Sequence, residues 1–389
     1  MHRASQSSAK SDMALIRGLF ARYYARTSVE APSELSKREF AFSMFNSTSM
    51  IRHLSFSTRE ELDDYIRVNV PQHAYYSSAY YQYPSAQEMG EKGWLGADLV
   101  FDIDVDHIPT PCKDLHDRWR CQDCGAEGWG FTKKCPSCGS ERLEWSKWVC
   151  STCINVAREE MIKLVEILED DFGFDRAEMR VAFSGHRGFH LHVESEAVKD
   201  LDQDARREIT DYVRGIGIDV KLYLKPAGKS LYTYKYSATS PGWAGRIAKY
   251  LLLRLLQAGE NGELESLSME YEQWEKTIKE AVSELSVKVD EKVTIDTKRL
   301  IRLPGSLHGK TGLKVFSMSV NELENLDSDS ILKRAIVFPD EKVQVAIEKP
   351  PRKVLYYSLE KVEEGKLEVP LFLAVYMVLN GKARLLNFR

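Results

Sequence analysis

Residues 97–106, ADLVFDIDVD, decide how the rest of the chain is read. At the two-residue period of a β-strand, Leu99, Phe101, Ile103 and Val105 share one face and Asp98, Asp102, Asp104 and Asp106 the other. The apolar face calls for a core. Four carboxylates along the opposite face repel one another, so the strand is either an edge with a solvated acidic face or a holder of cations. On the second reading Asp102 and Asp104 ligate divalent metal, while Asp98 and Asp106 only shape the local potential.

All seven cysteines follow this strand, at 112, 121, 124, 135, 138, 150 and 153. The N-terminus carries no apolar secretory segment, so the expected setting is intracellular and the thiols are read as metal ligands rather than disulfides. Cys121, Cys124, Cys135 and Cys138 have the two-knuckle layout of a zinc ribbon, with Gly125 and Gly139 directly after the knuckles. Cys112, Cys150 and Cys153 remain one ligand short of a second closed site. His116 completes that set through a compact CxxxH turn, with His107 as the alternative. The ribbon is then a finger inserted into the loop of the other site. The competing reading of the outer set is a free Cys112 beside a redox CxxC.

Farther along, INVAREEMIKLVEILEDDFG predicts an amphipathic helix ending at Gly173. In MRVAFSGHRGFHLHVE, residues 181–183 and 189–194 read as strands around a glycine-bracketed turn at 184–188, with His190 and His192 on one face. Such a turn brings backbone N–H groups to a phosphate, and Arg187 adds a planar donor fork, although Gly-rich hairpin turns also occur without a ligand. Strand signals return before RLIRLPGSLHGKTGL at 299–313. Here Asp290 and Asp296 are candidate acids and Arg302, Ser306, His308 and Lys310 candidate phosphate contacts. The aromatic run HAYYSSAYYQYP at 73–84 is read as packing rather than base stacking.

With 389 residues, 43% of them hydrophobic and 29% charged, the chain is read as a soluble protein of one large or two ordinary domains. Its most apolar run, 370–379, is too short to span a bilayer and reads as core. A net charge of −4 gives no whole-chain argument for nucleic acid. Basic residues do cluster, at Lys298, Arg299, Arg302, Lys310 and Lys314 and again between Lys221 and Lys249.

Three separated elements, FDID, SGHRGFHLHV and RLIRLPGSLHGKTGL, in this order and with cysteines between the first two, resemble the catalytic small subunit of archaeal and eukaryotic DNA primase. REFAF, MIRHLSF and ADLVFDIDVD resemble the archaeal branch in particular. The resemblance spans residues 30–325. The ribbon at 121–138 departs from the family's usual single zinc site, and residues 330–389 match none of its motifs.

The resemblance implies an α+β fold, a mixed-sheet catalytic core with an inserted zinc-binding knob and a small helical subdomain. Its expected parts are core at 1–110, the zinc-binding insertion at 111–155, core at 156–240, a helical subdomain at 241–286, the last core motif at 287–325 and a segment of unassigned role at 326–389. It implies catalytic, metal-holding roles for Asp102, Asp104 and Asp290, with Asp296 as rival to Asp290. Ser184, Gly185, Arg187 and His190 would grip the nucleotide's triphosphate from one side and Arg302, His308 and Lys310 from the other. Expected cofactors are two Mg²⁺ or Mn²⁺ ions for catalysis and two structural Zn²⁺ ions. Expected partners are the primase large subunit, single-stranded template DNA and ribonucleoside triphosphates, or also deoxyribonucleotides, with no membrane and a cytoplasmic, nucleoid-associated location. Rival functions are a stand-alone primase-polymerase extending DNA in repair and a non-catalytic zinc-bearing nucleic-acid adaptor.

Overall fold

The acidic strand forms over Leu99–Asp104 in a computed structural model that describes residues 2–259, 264–347, 349–359 and 365–386. Leu99, Phe101 and Ile103 are buried while Asp102 and Asp104 are half-buried, as the alternation requires. The strand stops before Asp106. Val105–His107 turn into a 3-10 helix capped by Asp104, whose carboxylate accepts from the Asp106 amide. Asp98 also leaves the acidic face, because it precedes the strand, is buried, and pairs with the buried Arg38 at 2.8 Å.

This strand is the edge of a four-stranded sheet whose order is Phe316–Ser319, Met179–Phe183, Gly188–Val193, Leu99–Asp104. A second sheet runs Leu300–Arg302, Pro71–Ser77, Phe40–Met44, Met50–Leu54. Every pairing in both is antiparallel, which corrects the mixed pairing expected. The short turn at 184–187 joins its two strands as a hairpin, and a hairpin can only be antiparallel. One hydrophobic core joins the two sheets, drawing Phe40, Phe42 and Tyr76 from one and Phe101, Val181 and Leu191 from the other. The helix Ser151–Phe172 closes it with Ile154, Met161, Leu164 and Leu168 and ends at Gly173 in the left-handed conformation.

The C-terminal segment belongs to this same core. Its helix Leu371–Leu379 buries every residue from 371 to 378, beside a sheet of Gly365–Pro370, Lys342–Ile347 and Ala383–Leu385. A separate hydrophobic cluster supports the small subdomain, but it reaches back to Val220, Leu224 and Tyr234 and contains a three-stranded sheet, so it is neither purely helical nor confined to 241–286. The knob is another three-stranded sheet, Glu127–Trp129, Arg118–Cys121 and Leu143–Ser146. Among the described residues no helix is long and apolar enough to cross a membrane.

Candidate active site and metal centres

Asp102, Asp104, Ser184, His190, Arg302, His308 and Lys310 line one cavity of about 450 Å³. The antiparallel ladder places His190 opposite Asp102, with Nε2 3.4 Å from Oδ1. The next histidine on that face, His192, points into the core, where its ring stacks on Tyr76. An edge strand has free carbonyls, and the Asp290 amide donates to that of Asp102 at 2.9 Å. Asp290 thereby adjoins Asp102 while capping the helix Glu291–Ile295. Asp296 lies at the opposite end of that helix, where it accepts from the Lys298 amide.

The acids crowd one another. Burial, then the neighbouring charges of Asp104 and Asp290, push the Asp102 carboxyl up to about 7. Around them burial holds the histidines neutral, with His186 and His190 pulled down to about 4 and His73 to about 3. Cavity wall and cavity floor therefore differ in kind. The floor accumulates negative charge that only a cation or proton relieves, and the wall offers uncharged ring N–H groups beside Arg302 and Lys310.

Both turn glycines are required by packing. A Cβ at Gly188 would fall 2.1 Å from Ile103 O, blocking the ladder to the acidic strand. Gly185, at φ 76°, lies against His308, whose Cβ a side chain there would meet at 2.7 Å. Its carbonyl accepts from Thr311 Oγ1 at 2.6 Å. These contacts bring the turn to the His308 segment, and His186 stacks on His308 with ring centroids 5.2 Å apart.

Two residues expected among the phosphate contacts lie elsewhere. Arg187 is completely buried behind the cavity, where Nη1 donates to both oxygens of Asp117 at 2.8 and 2.7 Å and Nη2 to Asp106. A buried guanidinium needs carboxylate partners, and the segment between the acidic strand and the knob provides two. Ser306 is buried and donates to Leu303 O at 2.6 Å, closing the Pro304–Gly305 turn. Asp106 correspondingly does more than shape potential, since it pairs with both Arg187 and Lys147.

The cysteines divide as their spacing predicts. Cys112, His116, Cys150 and Cys153 offer ligand atoms all within 4.8 Å of one another, as do Cys121, Cys124, Cys135 and Cys138. The first set is fully buried, whereas Cys124 and Cys138 of the second are exposed. His116 Nδ1 meets Asp117 Oδ1 at 2.8 Å and Nε2 lies 3.3 Å from Cys153 Sγ, an orientation that keeps Nε2 for a metal. Three thiols with one such imidazole, like four thiols, form a donor set suited to tetrahedral zinc. The side chain of His107, the alternative ligand, lies outside the described residues.

Tyr75, Trp145, Lys147, His186, Arg299 and Asn380 also line the cavity, and sequence reasoning assigned none of them to it. Tyr75 and His73 share a strand with the aromatic run read as packing; Arg302 donates to His73 Nδ1 at 2.8 Å and lies over the Tyr75 ring. Trp145 and Lys147 come from the knob. Their neighbours Glu144 and Ser146 face a second cavity of about 940 Å³ on the other side of the strand. Asn380 follows the C-terminal helix and donates to Lys310 O at 2.8 Å. A period-two reading of EWSK was the one signal for Trp145 and Lys147.

Comparison with known proteins identifies the family. The profile of a family described as DNA primase small subunit matches residues 140–319. The DNA primase small subunit PriS of Methanococcoides burtonii is 35% identical over 95% of this chain and 97% of its own length. That of Saccharolobus solfataricus is 41% identical over 80% of this chain and 77% of its own. Among solved structures, the polymerase domain from Mycobacterium tuberculosis ligase D in complex with DNA aligns over 79% of this chain and 73% of its own. Identity is 15% and the TM-score 0.27, a likeness too distant to bear on the fold.

Proposed function

Because the chain belongs to the archaeal DNA primase small-subunit family, the catalytic subunit of a nucleotidyltransferase, we propose that it joins ribonucleotides into short primers on single-stranded DNA at the cavity floored by Asp102 and Asp104. One observation carries this reading. Asp102 and Asp104 line a cavity at the edge of a sheet, where burial and the charges of Asp104 and Asp290 force Asp102 up to about 7, and the same cavity is lined by neutral histidines and by the cations Lys147, Arg299, Arg302 and Lys310.

Asp102, Asp104 and Asp290 would hold two Mg²⁺ or Mn²⁺ ions, and the crowding that raises Asp102 is what a divalent cation relieves. Such ions, when bound, lower the pKa of an attacking 3′-hydroxyl and stabilise charge on the leaving oxygen. The chain's own work is positioning. Lys310 and Arg302 supply positive charge for a triphosphate, and His190, His308 and His186 supply N–H donors. Ser184 at the mouth of the turn adds a hydroxyl, and Gly185 keeps the turn against His308 so that the two sides of the grip move together.

The two cysteine-rich sets would each hold a structural zinc, since protein ligands fill all four places in each. Partners on this reading are the primase large subunit and template DNA. The test supplies single-stranded DNA, unprimed or carrying a primer, with Mg²⁺, Mn²⁺ or no divalent metal and either ribo- or deoxynucleoside triphosphates, with and without the large subunit, and reads both synthesis and DNA binding. Primer synthesis de novo supports the proposal. Extension of a supplied primer alone identifies a stand-alone repair polymerase, and metal-independent DNA binding with no synthesis identifies an adaptor.

A further inference from the structure

The short helix Lys113–His116 is preceded directly by Cys112 and ends in His116, two members of the buried cysteine set, and its Lys113 reaches the acidic strand's exit. Lys113 is 3% exposed, and its ammonium donates to Val105 O and Ile108 O, each at 2.7 Å, and to Asp106 O at 3.3 Å. All three carbonyls belong to the turn that follows Asp104. Three donors meet three acceptors, so this buried cation is used entirely to hold that turn.

A second connection runs parallel to it. Asp117, next to the ligand His116, accepts from His116 Nδ1, from the Trp148 amide at 3.2 Å and from Arg187. Nη2 of Arg187 holds Asp106, and the Arg187 carbonyl accepts the Val105 amide at 3.2 Å. Asp106 in turn donates its amide to Asp104 Oδ1 at 2.8 Å. Both paths end at the Asp106 N–H, which among the described residues is the group that fixes the Asp104 carboxylate through Oδ1, and a cation would be met by the second oxygen.

We propose that this network is a bracket: Lys113, Asp117, Arg187 and Asp106 are positioning residues through which the buried cysteine–histidine site sets the carboxylate of Asp104 for metal binding. The proposal rests on the nucleotidyl-transfer reading of Asp104. Stability alone is a weak reason for such a network. Two buried cations and two carboxylates carry a large desolvation cost, and apolar residues of the same shape commonly serve a core as well or better. What the network supplies is a fixed direction for one carboxylate oxygen, as partners behind a metal ligand do elsewhere.

The experiment uses the full chain with Lys113→Met, Asp117→Asn and Asp106→Asn, and reads three quantities. These are zinc per chain, Mn²⁺ affinity at the acid pair from the paramagnetic resonance of free Mn²⁺, and the steady-state kcat and KM of nucleotide incorporation. Expected are two zinc ions retained, Mn²⁺ affinity and kcat each lowered about tenfold, triphosphate KM within about twofold of wild type, and partial rescue of kcat by excess Mn²⁺. Variants that keep zinc and also wild-type Mn²⁺ affinity overturn the proposal. So does loss of zinc in all three, because Asp106→Asn lies at the far end of the network and its failure would make the whole plain scaffolding. A wild-type chain that neither binds Mn²⁺ at the acid pair nor incorporates nucleotide contradicts the nucleotidyl-transfer reading itself. A competent wild type beside equally competent variants contradicts the bracket alone.

Discussion

Two sets of four side chains that could each hold a metal ion, with nearly the same chemistry, sit in this chain, and their surroundings differ. Cys121, Cys124, Cys135 and Cys138 hold a finger whose own apolar cluster is Trp119, Cys121 and Cys135, with Ala126, Leu143 and Trp145 packed against it. Cys112, His116, Cys150 and Cys153 are wholly buried, and the three cysteines belong to the main core beside Trp148, Ile154 and Tyr376. A metal site's consequence is therefore set by what its ligands' neighbours touch, more than by the ligands. Around the ribbon those neighbours are solvent and a small sheet; around the buried set they are the core and the turn after Asp104.

The largest effect should come from removing a ligand of the buried set. Cys153→Ser should drop zinc from two ions to one per chain and cost at least about 5 kcal/mol of stability, since a structural site's binding energy is folding energy. Denaturant unfolding with parallel metal analysis checks this; a stable, active variant would erase the distinction between the two sites. Next comes Arg187→Met, which strips the buried Asp117 of its cation and leaves Asp106 to Lys147 alone. It should cost about 3–5 kcal/mol, as removal of one partner from a buried ion pair does. If Arg187 were instead a free phosphate contact, stability would hold and triphosphate KM alone would rise.

A third test uses pH. Asp102 titrates at about 7 in the folded chain against an ordinary 3.8, so the folded state holds the extra proton between those values. Stability from this group is fully present below pH 3.8 and is lost as pH rises through 7. A divalent ion competes with that proton. Saturating Mn²⁺ should therefore raise the melting temperature more at pH 8 than at pH 5.5, by an amount corresponding to about 2–3 kcal/mol at 100 times Kd. Calorimetry at the two pH values reads it, and an equal shift at both would place the ion away from Asp102. The smallest effect is expected at the ribbon. Cys124→Ser, at an exposed ligand, should also lose one zinc yet change the stability of the main core by less than about 1 kcal/mol. A core-sized loss there would mean the finger is integrated like its counterpart.

Much of this contrast was legible in the sequence because it is local. Period-two alternation put Asp102 and Asp104 on one face, and CxxC spacing with CxxxH divided the cysteines into the same two groups that lie together in the fold. Long-range partners were not legible. Nothing at 38 or 117 announces that Arg38 neutralises Asp98 or that Asp117 ties His116 to Arg187, since such pairs are 60 and 70 positions apart. Arg187 looked like a phosphate fork because an arginine in a glycine turn serves equally for an anion outside or a carboxylate inside. Asn380 and the His73–Tyr75 strand enter the cavity only through the packing of the C-terminal helix and the second sheet. The turn glycines were read as making room for phosphate, while the neighbouring strand and His308 already fill that room.

The most direct test of the central claim is incorporation of labelled ribonucleotide on unprimed single-stranded DNA by Asp104→Asn, with wild-type melting and two zinc ions per chain verified beforehand. The account predicts loss of at least about a thousandfold in kcat with Mg²⁺ or Mn²⁺. Synthesis near the wild-type rate by that intact variant would contradict it.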